Sequence, residues 1–252
     1  MSIKLTNAAL DDIRLVATDM DGTLTQGGKF TKALLQAFAD LAAANIRVIV
    51  TTGRSAGWLS GLAAYLPIAG AIAENGGLYY HNGEQLPTFL NSITDLTNHK
   101  QQLAEIFFKL QLKFPHIKES ADNRFRLTDW TFDVQLLQVE EIQQLGQLCA
   151  QLGWGFTYSN VQCHIKPLHQ DKAAGLIQVL RDYFPQLTTE QVVTVGDSPN
   201  DESLFNPYHF KNSVGVANVR EYANQMQYQP TYITTASEGE GFCELAALLS
   251  QK

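Results

Sequence analysis

Cysteine, positive charge and long apolar runs are all scarce in this chain. Its three cysteines, Cys149, Cys163 and Cys243, form no CxxC pair. So sparse and odd a set points to reduced thiols rather than a disulfide framework. Lys and Arg number 18 against 25 Asp and Glu, a formal charge of −7. That balance excludes broad nucleic-acid binding, because a surface that tracks phosphates needs an excess of basic side chains. A pocket for one small anion needs only two or three cations, so that class stays open. No run of about 18 apolar residues occurs, so no membrane span is expected. The opening stretch MSIKLTNAALDDIRL lacks the apolar core of a signal peptide, and a cytoplasmic location is the expectation. No motif sets an oligomeric state.

What is present is an ordinary apolar fraction, 45% of 252 residues, with 17% charged. Such a chain folds rather than staying disordered, and has room for one large domain or a core plus an insert. The run Ile13–Thr18 predicts a buried strand that stops at an acidic, Gly-containing turn. A helix is predicted over 31–44, with Leu34, Leu35, Phe38 and Leu41 at helical spacing. Strands follow at 47–51 and 70–73, separated by a helix around 56–65. Strands alternating with helices imply a doubly wound parallel sheet.

The alternation breaks at Asn82-Gly83. From there a helix (93–112), two extended segments (124–127 and 131–136), a helix (139–152) and two strands (154–158 and 161–166) are predicted. This α-β-β-α-β-β order implies a small antiparallel sheet with helices on one face. The alternation resumes with a helix over 171–183 and strands at 191–195, 215–217 and 231–234. The expected organisation is α/β: a core made of residues 1–81 and 167–252, interrupted by a smaller α+β cap at 82–166.

Open parallel sheets place their sites at the carboxyl ends of the strands, and four such positions carry matching chemistry. Asp19 and Asp21 stand two residues apart after the first strand, in Asp19-Met20-Asp21-Gly22-Thr23. Two carboxylates so close repel unless a cation or a shared proton lies between them. Gly196-Asp197-Ser198-Pro199-Asn200-Asp201 adds two more carboxylates. Four converging carboxylates are costly without a metal, and Mg2+ is the hard divalent ion suited to carboxylates and phosphate. Thr52, Gly53 and Arg54 offer a hydroxyl and backbone N–H groups for a phosphoryl oxygen. Lys172, at a helix start, offers an ammonium to offset the charge.

In this order DMDGT, TGR, a lone Lys and GDSPND resemble the four motifs of the haloacid dehalogenase-like (HAD) phosphohydrolases. The resemblance covers the core on both sides of the insert. It implies that Asp19 is the nucleophile and Asp21 the acid and base. It implies that Thr52, Gly53, Lys172 and Asn200 hold phosphate, and that Asp19, Asp21 (through its carbonyl), Asp197 and Asp201 hold Mg2+. An insert between Thr52 and Lys172 resembles the C2-type cap of Cof-like and sucrose-phosphate phosphatases. The activity implied is hydrolysis of a small phosphorylated metabolite, a sugar phosphate, through an aspartyl phosphate. A phosphomannomutase-like sugar phosphomutase is the alternative, and a non-catalytic module that accepts a phosphoryl group is the third reading.

Several residues carry two readings. Thr52 is equally an ordinary helix N-cap. Arg54 either binds substrate or pairs with a core carboxylate. The segment Glu74-Asn75-Gly76-Gly77 is a turn, with Asn75 a substrate candidate by the same resemblance. Arg124 and Arg126 are expected on one strand face, as are His164 and Lys166; they either meet the anionic substrate or line a solvated face. His169 is expected to be structural, and Trp130 and Trp154 to belong to the cap core.

Overall fold

Asp95, Thr31 and Asp171 each open a helix by accepting a backbone N–H three residues on, an N-cap contact that contributes about 1 kcal/mol. These helices belong to a computed structural model that describes residues 3–5, 10–82, 84 and 86–251. Gly83, half of the expected turn at 82–83, lies outside the described residues. In chain order the first half contains β1 (Ile3–Lys4), β2 (Leu15–Thr18), α1 (Lys32–Ala43), β3 (Arg47–Thr51), α2 (Ala56–Tyr65), β4 (Gly70–Ala73), β5 (Leu78–His81) and β6 (Thr88–Phe89). Then come α3 (Leu96–Lys113), β7 (Trp130–Asp133), α4 (Val139–Gln151), β8 (Gly155–Tyr158) and β9 (Gln162–Lys166). The chain closes with α5 (Lys172–Tyr183), β10 (Val192–Gly196), β11 (Asn212–Gly215), β12 (Tyr232–Ile233) and α6 (Glu238–Ser250). No helix among the described residues is long and apolar enough to cross a membrane.

The large sheet runs β1-β12-β11-β10-β2-β3-β4-β5-β6. It is parallel from β1 through β4 and antiparallel at β5 and β6. Alternation along the strands divides its side chains between two cores. Val16, Val48, Val50, Val193 and Val195 face α1, α2 and α6, where Phe38, Leu59 and Phe242 are buried. Leu15, Ala17, Ile49, Ile72 and Val192 face α5, with Leu176 and Val179. Each fully buried Leu, Val or Phe here contributes about 1.5–3 kcal/mol. The doubly wound reading of the sequence is therefore the observed fold.

The cap is a three-stranded antiparallel sheet, β7-β9-β8, with α3 and α4 on one face over Phe132, Cys163 and Ile165. Its other face turns toward the core and carries Thr131, His164 and Thr157 in register.

Two expected strands need correction, and the structure adds elements that the sequence pattern did not announce. The strand expected at 124–127 is a 3-10 turn over Ala121–Phe125, so the cap has three strands and Arg124 and Arg126 do not share a strand face. The cause is Asn123, whose amide donates to Thr131 O (2.9 Å) and accepts from Thr131 N (2.8 Å). One side chain thereby takes the place of a fourth strand. The strand expected at 215–217 is Asn212–Gly215, because Ser213 is satisfied by Thr231 rather than by solvent. Strands β5 and β6 extend the large sheet unforeseen, so the chain leaves that sheet only after Phe89. Helix α6 went unassigned, and it packs directly on α1.

Candidate active site

Strands β10, β2, β3 and β4 are neighbours in parallel register, so their carboxyl ends open on one edge. The residues just beyond are still held by the ladder: Asp19 N donates to Val195 O and Thr52 N to Ile72 O, both at 2.9 Å. Asp19, Thr52, Asn75 and Asp197 therefore meet at one place, each fixed by its own strand.

Lys172, the first residue of α5, reaches into this edge fully buried. Its Nζ donates to Asp19 Oδ1 at 2.5 Å and to Asp201 Oδ1 at 2.6 Å. Burial opposes the ammonium, but the two carboxylates outweigh it and hold its pKa above the usual lysine value. Burial pushes Asp19 up to about 7; Lys172 opposes that rise, while Asp201 and Asp21 add to it. Asp197 is pushed well above the usual carboxylate range, first by burial, then by Asp19 and Asp201.

Asp201 Oδ2 accepts Asp197 N (3.0 Å) and Ser198 N (3.2 Å), which folds the 197–201 turn around its own carboxylate. Asp197 accepts Thr23 Oγ1 at 2.9 Å on Oδ1 and Asn218 Nδ2 at 2.9 Å on Oδ2. Asn218 also donates to Gly22 O at 3.0 Å. Gly22 has φ +84, and a Cβ there would lie 2.7 Å from Asp197 Oδ2, so only glycine lets the two acidic loops approach.

Carboxylate oxygens of Asp19, Asp197 and Asp201 lie within 4.8 Å of one another, all buried. A single ammonium, Lys172, is paired to this set. Three hard oxygen donors with too little positive charge fit a divalent cation such as Mg2+.

Arg54 forks onto Asp21, with Nε 2.8 Å from Oδ2 and Nη2 2.7 Å from Oδ1. Of its two readings, the structure contains the carboxylate pair. The N-cap position of α2 falls on Ser55 rather than Thr52; Thr52 is buried and its Oγ1 accepts Arg54 N at 3.1 Å. Asn200 Nδ2 donates to Asn75 Oδ1 at 3.2 Å, and Ser198 Oγ holds Asn200 at 2.7 Å. Asn75 Nδ2 is buried without a hydrogen-bond partner, 3.2 Å from where a Gly53 Cβ would stand. A buried orphan donor costs about 1–3 kcal/mol, which a ligand oxygen at the Gly53 loop would recover. Glu74 and Asn75 both adopt φ +52, so the expected turn is present in left-handed backbone.

A narrow cavity between core and cap is lined by Asp19, Asp21, Thr52, Arg54, Gln162 and His164 among others. Of the cap candidates, His164 reaches it. Lys166 donates to Gln170 O and borders a separate cleft. Arg124 is exposed, its guanidinium 4.7 Å over the Phe125 ring. Arg126 is wholly buried and bonds Gly53 O (2.9 Å), Asp129, Asp122 and Gln162. It ties cap to core rather than facing the cavity. Trp130 and Trp154 pack in the cap core.

Sequence reasoning missed Asn218, Glu74, Asp129 and Gln170. Asn218 belongs to no recognised motif. Glu74 accepts Ala56 N, Leu127 N, Thr128 N and Thr128 Oγ1 across the core–cap boundary, a role that only the folded chain brings about.

Residues 13–248 match the family described as sucrose-6F-phosphate phosphohydrolase. Among curated relatives, a phosphoglycolate phosphatase of Metallosphaera sedula is 29% identical over 197 residues, 77% of this chain and 81% of its own. Another, of Staphylothermus marinus, is 26% identical over 95% of this chain and 99% of its own. Thermoplasma acidophilum 0175 superposes with a TM-score of 0.75 at 19% identity, covering 95% of this chain and 99% of that one. The sucrose-phosphatase of Synechocystis sp. PCC6803, solved with sucrose and phosphate, gives 0.68 at 16% identity over 94% of this chain and 98% of that one. At those identities the two structures show the shared fold.

Proposed function

Since the chain belongs to the sucrose-6F-phosphate phosphohydrolase family, within the haloacid dehalogenase-like superfamily, we propose that it hydrolyses a sugar phosphate through a phosphoaspartate at Asp19. The observation that carries this reading is Lys172, held between Asp19 and Asp201 with Asp197 beside them. That arrangement positions a carboxylate nucleophile and neutralises charge, the two demands of phosphoryl transfer.

An Asp19 oxygen attacks phosphorus and forms the P–O bond of an acyl phosphate while the ester P–O bond breaks. Asp21 gives its proton to the departing alkoxide. It then removes a proton from the water that attacks the phosphoaspartate, so phosphate leaves and Asp19 is regenerated. Thr52 Oγ1, the Gly53 backbone, Asn75 Nδ2, Asn200 and Lys172 hold the phosphoryl oxygens. Asp19, Asp197, Asp201 and the Asp21 carbonyl would hold Mg2+, which would supply charge neutralisation. Arg54 orients Asp21 as a carboxylate, and one prong of that fork opens when Asp21 carries the proton it gives. The cap, which starts beyond Phe89 and ends at Lys166, covers the leaving group and excludes water.

The same first half-reaction serves a sugar phosphomutase. Curated relatives named as phosphatases span nearly this whole chain, which favours water as the acceptor. They bear on the third reading too, a module that holds a lasting phosphoryl group. The relatives' names also place phosphoglycolate among the substrates to be tried.

The test is phosphate release from sugar phosphates, phosphoglycolate and p-nitrophenyl phosphate, with Mg2+ and with chelator. Magnesium-dependent release, lost in Asp19→Asn, is the expected result. Turnover retained in Asp19→Asn would overturn the nucleophile, and transfer to a second sugar hydroxyl would make the enzyme a mutase.

A further inference from the structure

His164 occupies the middle of the cap strand β9, on the face turned to the core, and is 2% exposed. Its Nδ1 lies 2.8 Å from Asp129 Oδ2. Asp129 is itself buried and accepts Arg126 Nη1 on both oxygens, at 2.9 and 3.1 Å. The same Nη1 donates to Gly53 O. One buried chain of contacts therefore runs from the phosphate loop through Arg126 and Asp129 to the imidazole. The ring edge that Asp129 does not hold, Cε1–Nε2, lies against Gly53: a Cβ there would be 2.9 and 3.0 Å from those atoms. His164 lines the cavity that contains Asp19 and Asp21, on the cap side, where the leaving group of a phosphate ester bound at Asp19 must lie.

We propose that Asp129 fixes His164 with its proton on Nδ1, so that Nε2 accepts a hydrogen bond from a leaving-group hydroxyl and selects hydroxylated phosphate esters over carboxylated ones.

The proposal rests on the phosphatase reading and names the substrate class for that site. An ionised carboxylate offers only acceptors, so the nitrogen facing Asp129 must be the donor. Burial opposes ionisation of Asp129, but Arg126 and His164 outweigh it and hold its pKa below the usual carboxylate value. Burial in turn keeps the imidazole below its ordinary pKa. Asp129 works the other way, while Arg126 and Lys172, the cations nearby, add to the lowering. A neutral ring protonated on Nδ1 has only a lone pair at Nε2. That lone pair welcomes O–H and repels the oxygen of a carboxylate, so phosphoglycolate finds no donor at this position. Ser159, on the same cavity wall, adds a hydroxyl that suits a polyol. The site rejects by leaving a polar group unpaired, which discriminates more strongly than shape alone.

The test compares kcat/KM for a sugar phosphate, phosphoglycolate and p-nitrophenyl phosphate in the wild type and in His164→Asn. The shorter amide retains a donor for Asp129 and loses Nε2. The sugar phosphate is expected to be preferred over phosphoglycolate in the wild type. In the variant its advantage over p-nitrophenyl phosphate should fall roughly tenfold to a hundredfold, the loss of one hydrogen bond into a buried site. Equal losses on both esters would reduce His164 to a packing role and overturn the proposal. So would a wild type that prefers phosphoglycolate.

If His164→Asn does not fold, the wild-type pH dependence decides. Protonation of His164 turns Nε2 into a donor, so the ratio of phosphoglycolate to sugar phosphate turnover should rise on acidification. A ratio independent of pH, or one falling in acid, overturns the proposal. Failure to release phosphate from any of the three esters would instead remove the phosphatase reading.

Discussion

Arg54 clasps both carboxylate oxygens of Asp21, at 2.8 and 2.7 Å, while its guanidinium carbon lies 5.3 Å from the centre of the Trp58 ring. A fork stacked on an aromatic plane fixes direction as well as distance. Asp21 is thereby aimed by a residue of the proposed phosphate loop, and the third residue of Thr52-Gly53-Arg54 has a function beyond charge.

Removing that fork should affect rate far more than stability. The pair is partly exposed, so Arg54→Ala is expected to cost no more than about 1 kcal/mol of folding free energy. A loosened Asp21 should lower kcat by about 10- to 100-fold on p-nitrophenyl phosphate. Arg54→Lys cannot fork and should recover only part of it. An Arg54→Ala enzyme with unchanged kcat would leave the residue without a role in orienting Asp21.

Asn218 stands behind the proposed metal ligands, donating to both Asp197 Oδ2 and Gly22 O. Groups that orient a ligand carboxylate typically alter metal affinity by about 10- to 100-fold when removed. For Asn218→Ala, the Mg2+ concentration for half-maximal activity should rise by about that factor, with kcat at saturating Mg2+ little changed. A Mg2+ titration superimposable on the wild type would exclude this.

Gly53 is the point where cap and phosphate loop nearly touch. In Gly53→Ala the new methyl would stand 2.9 Å from His164 Cε1, and a rigid ring cannot yield without moving the cap. Overpacking of this kind costs about 1–3 kcal/mol, and kcat/KM should fall by about tenfold or more. Adding His164→Ala should restore much of the stability, which a double-mutant cycle of unfolding midpoints would read as coupling. Purely additive losses would mean that the two residues do not meet.

Glu74 binds the core to the cap, and its burial, together with Asp129, pushes its pKa up from 4.5 to about 7. Arg126 and the N–H groups of Ala56 and Thr128 act against that shift without cancelling it. A carboxyl raised by folding contributes no penalty below its unfolded pKa, where both states are protonated. As pH climbs from about 4.5 to about 7 the unfolded chain ionises first, so stability should fall by up to about 3 kcal/mol and then level off. Glu74→Gln should flatten this slope. Urea unfolding of both proteins at about pH 5 and about pH 8 checks the sign; parallel curves would refute it.

The core was legible because its information is local. Val16, Val48 and Val193 belong to short apolar runs that end at polar turns, and runs of that kind admit little besides buried strands of a parallel sheet. Asp19, Asp21, Asp197 and Asp201 could be read as one site because each follows such a run directly, and parallel strands align their carboxyl ends. The cap was less legible. Asn123 replaces a strand with a single amide, which no periodicity announces. Arg126 and His164 alternate with apolar neighbours as solvent-facing residues do, yet both are buried: a tight turn brings Asp122 and Asp129 onto Arg126, and Asp129, 35 positions away, pairs with His164.

The sequence by itself determined the alternating strands and helices from β2 to β4 and at α5–β10, the acidic cluster and the chemistry that cluster permits, since these follow from hydrophobic period and from residue type at strand ends. Only the tertiary structure decided which cations meet which carboxylates. Arg54 went to Asp21, Arg126 to Asp129 and Lys172 to Asp19 and Asp201. Such pairings depend on distances of about 3 Å between groups up to 153 positions apart in the chain. Those contacts exist only once sheet and cap have packed, and with them came the pairing of His164 with Asp129.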